Sequence, residues 1–142
     1  MATLSNAQFG EFCDPNTGKP LDADEPIVFT AWDRKTRDVE TQYPILFRDP
    51  AGLPWRVPAG SRVNGLSVPR IFWRLMPPYA ARAREASVLH DHYCATKTRD
   101  SRLVHAMFYL AMRANGVGWW VAFTRWLAVR VFGPRFRARR YA

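Results

Sequence analysis

The chain has 142 residues and a mass of 16.4 kDa, with 48% hydrophobic and 23% charged residues. These proportions suit one globular domain with a core of its own and exclude a disordered chain or a two-domain enzyme. Its formal charge is +9, and the excess is uneven. The stretch through Pro54 holds nine acids and five bases, whereas Trp55 onward holds three acids and sixteen bases, with no acid after Asp100. A surface of that sign seeks phosphate, in nucleic acid or in anionic lipid. Two cysteines, Cys13 and Cys94, without CxxC spacing exclude a disulfide framework and a Cys-only zinc site, and fit a reducing compartment. The first twelve residues lack the charge and apolar run of a secretory signal. No apolar run is long enough to span a bilayer.

In chain order, residues 1–26 are rich in turn formers, among them Asp14, Pro15, Asn16, Gly18 and Pro20, and read as an N-terminal arm. Short β-rich runs at 27–32, 43–47 and 55–57, separated by the turns 33–37 and 49–52, predict a small antiparallel sheet. Proline is absent between Tyr79 and Gly133, and there the pattern becomes helical. A first helix is expected over 80–95. A second starts at an Asp100 or Ser101 cap and stops at Asn115 and Gly116. A third occupies 118–132 and ends at Gly133 and Pro134. The second carries an apolar stripe of Val104, Met107, Phe108, Ala111 and Met112. In the third, Arg125 and Arg130 fall about 140° apart around the axis. It therefore reads as a mostly buried helix whose arginines snorkel outward, its tryptophans leaving an interfacial role open. The expected architecture is α+β: short N-terminal antiparallel strands, then a three-helix unit. The globular domain covers 27–133, and 134–142 form a basic tail.

Two stretches carry candidate chemistry, 63–73 (VNGLSVPRIFW) and 87–94 (SVLHDHYC). In the first, Asn64, Gly65 and Ser67 form a turn whose carbonyls and short side-chain oxygen suit a hard cation; an ordinary polar turn closing the sheet explains them as well. In the second, His90 and Asp91 are neighbours on a helix and diverge by about 100°, too far to hydrogen-bond each other. They can serve two halves of one site, His90 as general base for a water and Asp91 as ligand to a cation that polarises a carbonyl. The alternatives are a structural histidine, or a metal trio of His90, Cys94 and His105 across a helical hairpin.

From about Trp55 to Gly133 the chain resembles a phage and prophage family known as domain of unknown function 1353. The resemblance rests on Val57, Pro58, Ala59 and Gly60; on Gly65, Ser67, Val68, Pro69 and Arg70; on Phe72, Trp73, Pro77 and Pro78; on Val88, Leu89, His90 and Asp91; and on Ala111, Met112, Gly116, Val117 and the run from Leu127 to Gly133. That pattern in turn resembles the core of phospholipase A2, where a cation-binding loop precedes a His-Asp helix and an antiparallel second helix orients the His. The resemblance implies His90 as base, Asp91 with the Asn64, Gly65 and Ser67 loop as a calcium site, and His105 in the place of the orienting carboxylate. Asn64 stands where the family has Asp, His105 where phospholipase A2 has Asp, and Tyr93 one place early, so the implied site is partly degenerate.

The function expected is a phage-encoded, cation-dependent lipid acyl-ester hydrolase acting at an anionic phospholipid surface. The alternative is a non-enzymatic virion component or host-interaction module that binds other phage proteins. The arginines of the tail, with Phe136 and Tyr141, also allow nucleic-acid contact. Host cytoplasm or virion is the expected location.

Overall fold

The computed structural model describes residues 7–21, 38–41, 44–64 and 84–138. A short 3₁₀ turn, Ala7–Phe9, leads into β1 (Glu11–Cys13). Then come β2 (Asp38–Glu40), β3 (Ile45–Arg48), β4 (Pro54–Val57), β5 (Arg62–Asn64), α1 (Arg84–Thr96), α2 (Ser101–Ala114) and α3 (Trp119–Phe132). The α+β class expected from the sequence is what these elements form. All described pairings are antiparallel: β1, β3 and β4 make one sheet with β3 in the middle, and β2 pairs with β5. The expected strand at 27–32 lies outside the described residues, as do residues 80–83 of the expected first helix.

β3 is the interior strand, and its consecutive Ile45, Leu46 and Phe47 are all buried, as a strand covered on both faces requires. β4 instead alternates, burying Trp55 and Val57 between exposed Pro54 and Arg56. The hairpin between them is closed by Asp49. Its Oδ1 accepts the backbone N–H groups of Ala51 (3.0 Å) and Leu53 (2.9 Å), and its Oδ2 accepts the Trp55 indole N–H (3.1 Å). Within the segment expected to be an arm, β1 joins the sheet through β3, Cys13 is buried, and Phe12 packs on Phe47 with ring centroids 4.9 Å apart. Gly10 makes that approach possible. Its φ is +107°, and a Cβ there would sit 2.6 Å from the Arg48 carbonyl oxygen.

The helices carry the rest of the core. α1 lays Ala86, Leu89 and Tyr93 inward, and α2 lays Val104, Met107, Phe108, Ala111 and Met112 inward, the stripe read from the sequence. The two run antiparallel, since Glu85 meets Asn115 near one end (3.2 Å) while His90 meets His105 nearer the short connection. Tyr93 locks α1 to the sheet: its hydroxyl accepts the Arg56 N–H at 2.9 Å, and its ring meets Trp55 edge-on at 4.8 Å. Gly116, at φ +83°, stops α2 where expected, and the Val117 N–H turns back onto the Met112 carbonyl at 3.0 Å.

Two expectations are corrected. Asp100 precedes α2 as expected, but its side chain does not cap the helix; it accepts the Ala138 N–H at 2.6 Å and ties the chain after α3 to the start of α2. Ser101 does the same for Phe136, exchanging two hydrogen bonds with its backbone (3.0 and 3.1 Å). The second correction concerns α3, which packs the opposite way from the expectation. Arg125 is only 5% exposed, on the side of Ala122, Ala128 and Val129, whereas Trp119, Trp120, Phe123, Leu127, Val131 and Phe132 face out. The reason is steric. Three small or β-branched residues let the backbones of α2 and α3 approach, which the bulky arc of the same helix would prevent.

Candidate functional site

The facing sides of α1 and α2 bring His90 and His105 together. Both are 2% exposed, and His90 Nε2 lies 2.9 Å from His105 Nδ1. Their rings tilt against one another with centroids 5.1 Å apart, and the His90 ring also rests on Phe108 at 4.7 Å. On its far side His105 Nε2 lies 3.1 Å from the carbonyl oxygen of Pro134, just past the end of α3.

These contacts fix the protons. A carbonyl only accepts, so His105 Nε2 carries the hydrogen and His105 Nδ1 holds a lone pair. His90 Nε2 must then be the donor across the 2.9 Å contact. His90 Nδ1 is left with its lone pair, 3.8 Å from Asp91 Oδ1 and 3.8 Å from Cys94 Sγ. At 3.8 Å the Asp91 carboxyl is beyond hydrogen-bond length, in line with the helical geometry read from the sequence. His105, from the antiparallel helix, thus orients His90 as a neutral acceptor where a carboxylate would do so by charge.

Burial governs the electrostatics. Desolvation lowers His90 to about 4. His105 also falls to about 4, through burial first and then the neighbouring His90 and Arg130, with the Pro134 carbonyl pulling the other way. Both rings are therefore neutral at pH 7, as the pattern of protons requires. Asp91 is pushed well above the usual carboxylate range by burial. The Cys94 thiol is pushed up to about 12, by burial and then by Asp91, against the pull of Lys97. Although Cys94 Sγ sits 3.7 Å from His90 Nε2, it stays a thiol and is no nucleophile. His92, two residues from His90, takes no part in this cluster; its ring meets Tyr93 edge-on at 5.4 Å.

The metal trio of His90, Cys94 and His105 does not form. The two rings aim nitrogens at each other rather than at a common point, and among the described residues no three His, Cys, Asp or Glu side chains group to hold a metal. For the calcium site, Asn64 ends β5, which packs against α1, whereas Gly65 and Ser67 lie outside the described residues. The Asp91 carboxyl is chemically an oxygen donor of the kind a hard cation takes.

A family model described as protein of unknown function (DUF1353) matches residues 39–129. The chain belongs to this DUF1353 family. It is 39% identical over 127 residues, 89% of its own length and 35% of the relative's, to the uncharacterized protein y4jT of Sinorhizobium fredii (strain NBRC 101917 / NGR234). The uncharacterized protein y4iH of the same strain is 30% identical over 86 residues, 60% of this chain and 36% of that relative. The chain thus spans about a third of the length of the curated relatives it matches. No solved structure matches it. Within this DUF1353 chain the matched span contains every element from β3 to α2, and so both histidines of the pair, but not Pro134, whose carbonyl sets their protons. Of the residues singled out in the sequence, the structure brings His90 and His105 together and leaves Asp91 3.8 Å from His90. Sequence reasoning missed the contact with Pro134, because a backbone carbonyl 29 residues from its partner leaves no mark in a motif.

Proposed function

We propose that this DUF1353 chain is a phospholipase A2-like hydrolase of lipid acyl esters, phage-derived, with His90 as its general base. One observation carries the reading: the donation from His90 Nε2 to His105 Nδ1, set by the Pro134 carbonyl, leaves the His90 Nδ1 lone pair beside Asp91. That is the proton pattern a base needs in order to take hydrogen from a water that attacks an ester. His105 positions the ring, and Phe108 holds it from the side. Asp91 is the residue assigned to calcium, which when bound would polarise the ester carbonyl. A base lowered to about 4 is weak, so slow turnover is expected, rising with pH until the pair is wholly neutral.

Fatty-acid release from phosphatidylglycerol vesicles, with calcium or with a chelator, tests the proposal. Wild type is expected to release fatty acid with calcium, His90→Gln to be silent, and His105→Asp, which places a carboxylate against His90, to be at least as active as wild type. Equal silence of wild type and His90→Gln refutes the proposal. A non-enzymatic interaction module is the second reading, favoured by the deep burial of His90 and by the apolar face of α3. It expects His90→Gln to keep function while changes on α3 abolish it.

A further inference from the structure

α3 carries a surface that the hydrolytic reading does not use. Taking about 100° per residue, Trp119, Trp120, Phe123, Leu127 and Val131 fall within an arc of about 120°, opposite the buried Ala122, Arg125 and Val129. Trp119 and Trp120 are 60% and 61% exposed, and Leu103 on the neighbouring α2 is 51% exposed. Between the two helices a groove of about 350 Å³ is lined by Ala106, Tyr109, Leu110, Phe123 and Trp126. A contiguous apolar face of this kind marks a contact surface.

Its charged surroundings select the occupant. Arg130 falls within the same arc of α3, and Arg102 lies one turn before Ala106 on α2. Exposed Arg135 and Arg137 follow α3, and no acid occurs after Asp100. A second copy laid on this face would set arginine against arginine, with no carboxylate from either α2 or α3 to pair with them. Nucleic acid would meet Arg130 on one side of the arc, but Phe123, Leu127 and Val131 across the rest of it offer phosphate no partner. An anionic bilayer matches both parts: acyl chains and interfacial space for the tryptophans and Leu127, phosphates for the arginines. At 14 residues α3 is about 21 Å long, shorter than the hydrocarbon core, and no helix among the described residues is long and apolar enough to cross a membrane. The helix therefore lies in the plane of the surface.

We propose that the exposed face of α3, with the adjoining groove on α2, docks this protein onto anionic lipid bilayers, Trp119 and Trp120 entering the headgroup region and Arg130 pairing with lipid phosphate. This surface does not rest on catalysis by His90 and is read out by binding alone. The experiment is co-sedimentation of the full chain with sucrose-loaded vesicles of phosphatidylcholine, or of phosphatidylcholine with about 30 mol% phosphatidylglycerol. The protein is expected to pellet with the mixed vesicles, with a blue-shifted tryptophan emission, and not with phosphatidylcholine alone. The Trp119→Ser/Trp120→Ser double variant, changed only at exposed positions so that its circular dichroism is kept, should bind about tenfold more weakly. Arg130→Gln should lose several-fold and become less salt-sensitive, and His90→Gln should bind as wild type does. Any of three results overturns the proposal: no difference between the two vesicle types; a micromolar dimer on sedimentation that the double tryptophan variant dissolves; or binding to single-stranded DNA, but not to vesicles, that depends on the same tryptophans.

Discussion

Replacing His105 with Phe tests the proton pattern most directly. The ring keeps its volume, but the acceptor for His90 Nε2–H at 2.9 Å disappears, and so does the donor to Pro134 at 3.1 Å. His90 Nε2 faces α2, and the ring rests on Phe108, so on that side nothing replaces the lost acceptor, and an orphaned buried donor costs about 1–3 kcal/mol. Pro134 is exposed and its carbonyl can turn to solvent, adding less than about 1 kcal/mol. The expected loss is therefore about 1–4 kcal/mol in urea denaturation at pH 7.5. His90 has one escape, moving its proton to Nδ1 on the side of Asp91, which would soften the loss to about 1 kcal/mol and remove the Nδ1 lone pair. Long-range proton–nitrogen spectra of the imidazoles distinguish the two, because they show which ring nitrogen carries hydrogen. His105→Gln provides the control: its carbonyl can accept from His90 while its amide donates to Pro134, so it should lose less than about 1 kcal/mol. Equal losses in the Phe and Gln variants, or a loss below about 0.5 kcal/mol for Phe, would show that the hydrogen-bonded chain does not hold the site.

Acidification should destabilise the protein. His90 titrates at about 4 when folded against 6.5 when free, so the folded state binds fewer protons. Its contribution is full above about pH 6.5, shrinks as the pH falls, and is lost by about pH 4, a gap of about 3 kcal/mol. Asp91 acts with the opposite sign, since its raised value relieves strain as the pH drops; comparison with His90→Gln cancels that effect. Between pH 7 and 5 the wild type should lose about 2 kcal/mol more than the variant, and parallel denaturation curves would sink the assignment of a buried neutral His90. At the other end of the chain, Gly10→Ala should cost at least about 2 kcal/mol, because its Cβ meets the Arg48 carbonyl at 2.6 Å and the Phe47 ring at 2.7 Å. Gly60→Ala, at φ +80° but with open space around it, should cost about 1 kcal/mol. A thermal melt that shows no difference between the two would mean that β1 is not held against β3.

What could be read in the sequence was what obeys a local period or a local stop. The α2 stripe, the Gly116 terminus and the strands around Phe47 and Trp55 all follow from neighbours a few residues apart. β1 was invisible because three residues cannot show a period and sit among turn formers, and its place depends on Gly10 admitting Phe47. The orientation of α3 was misread for a different reason. Arginine is normally a marker of the outside, but here the need for small residues at the α2 contact turned Arg125 inward. At the site, counting along a helical hairpin brought His105 to His90, yet nothing local could show which nitrogens carry hydrogen. That was settled by Pro134 and by the Asp100 and Ser101 contacts that hold the following residues in place.

The line of donors from His90 to Pro134 runs in one direction and has no sink. Were His90 Nδ1 to gain a proton, its Nε2 hydrogen could pass to His105, but the hydrogen on His105 Nε2 faces a carbonyl that cannot take it. The positive charge would stop inside the protein, between two rings and beneath Phe108. A carboxylate in place of His105 would absorb the charge; an imidazole only hands it one step deeper. The same geometry that orients His90 therefore limits how long it can hold a proton, favouring its prompt loss from Nδ1, the side on which it arrived.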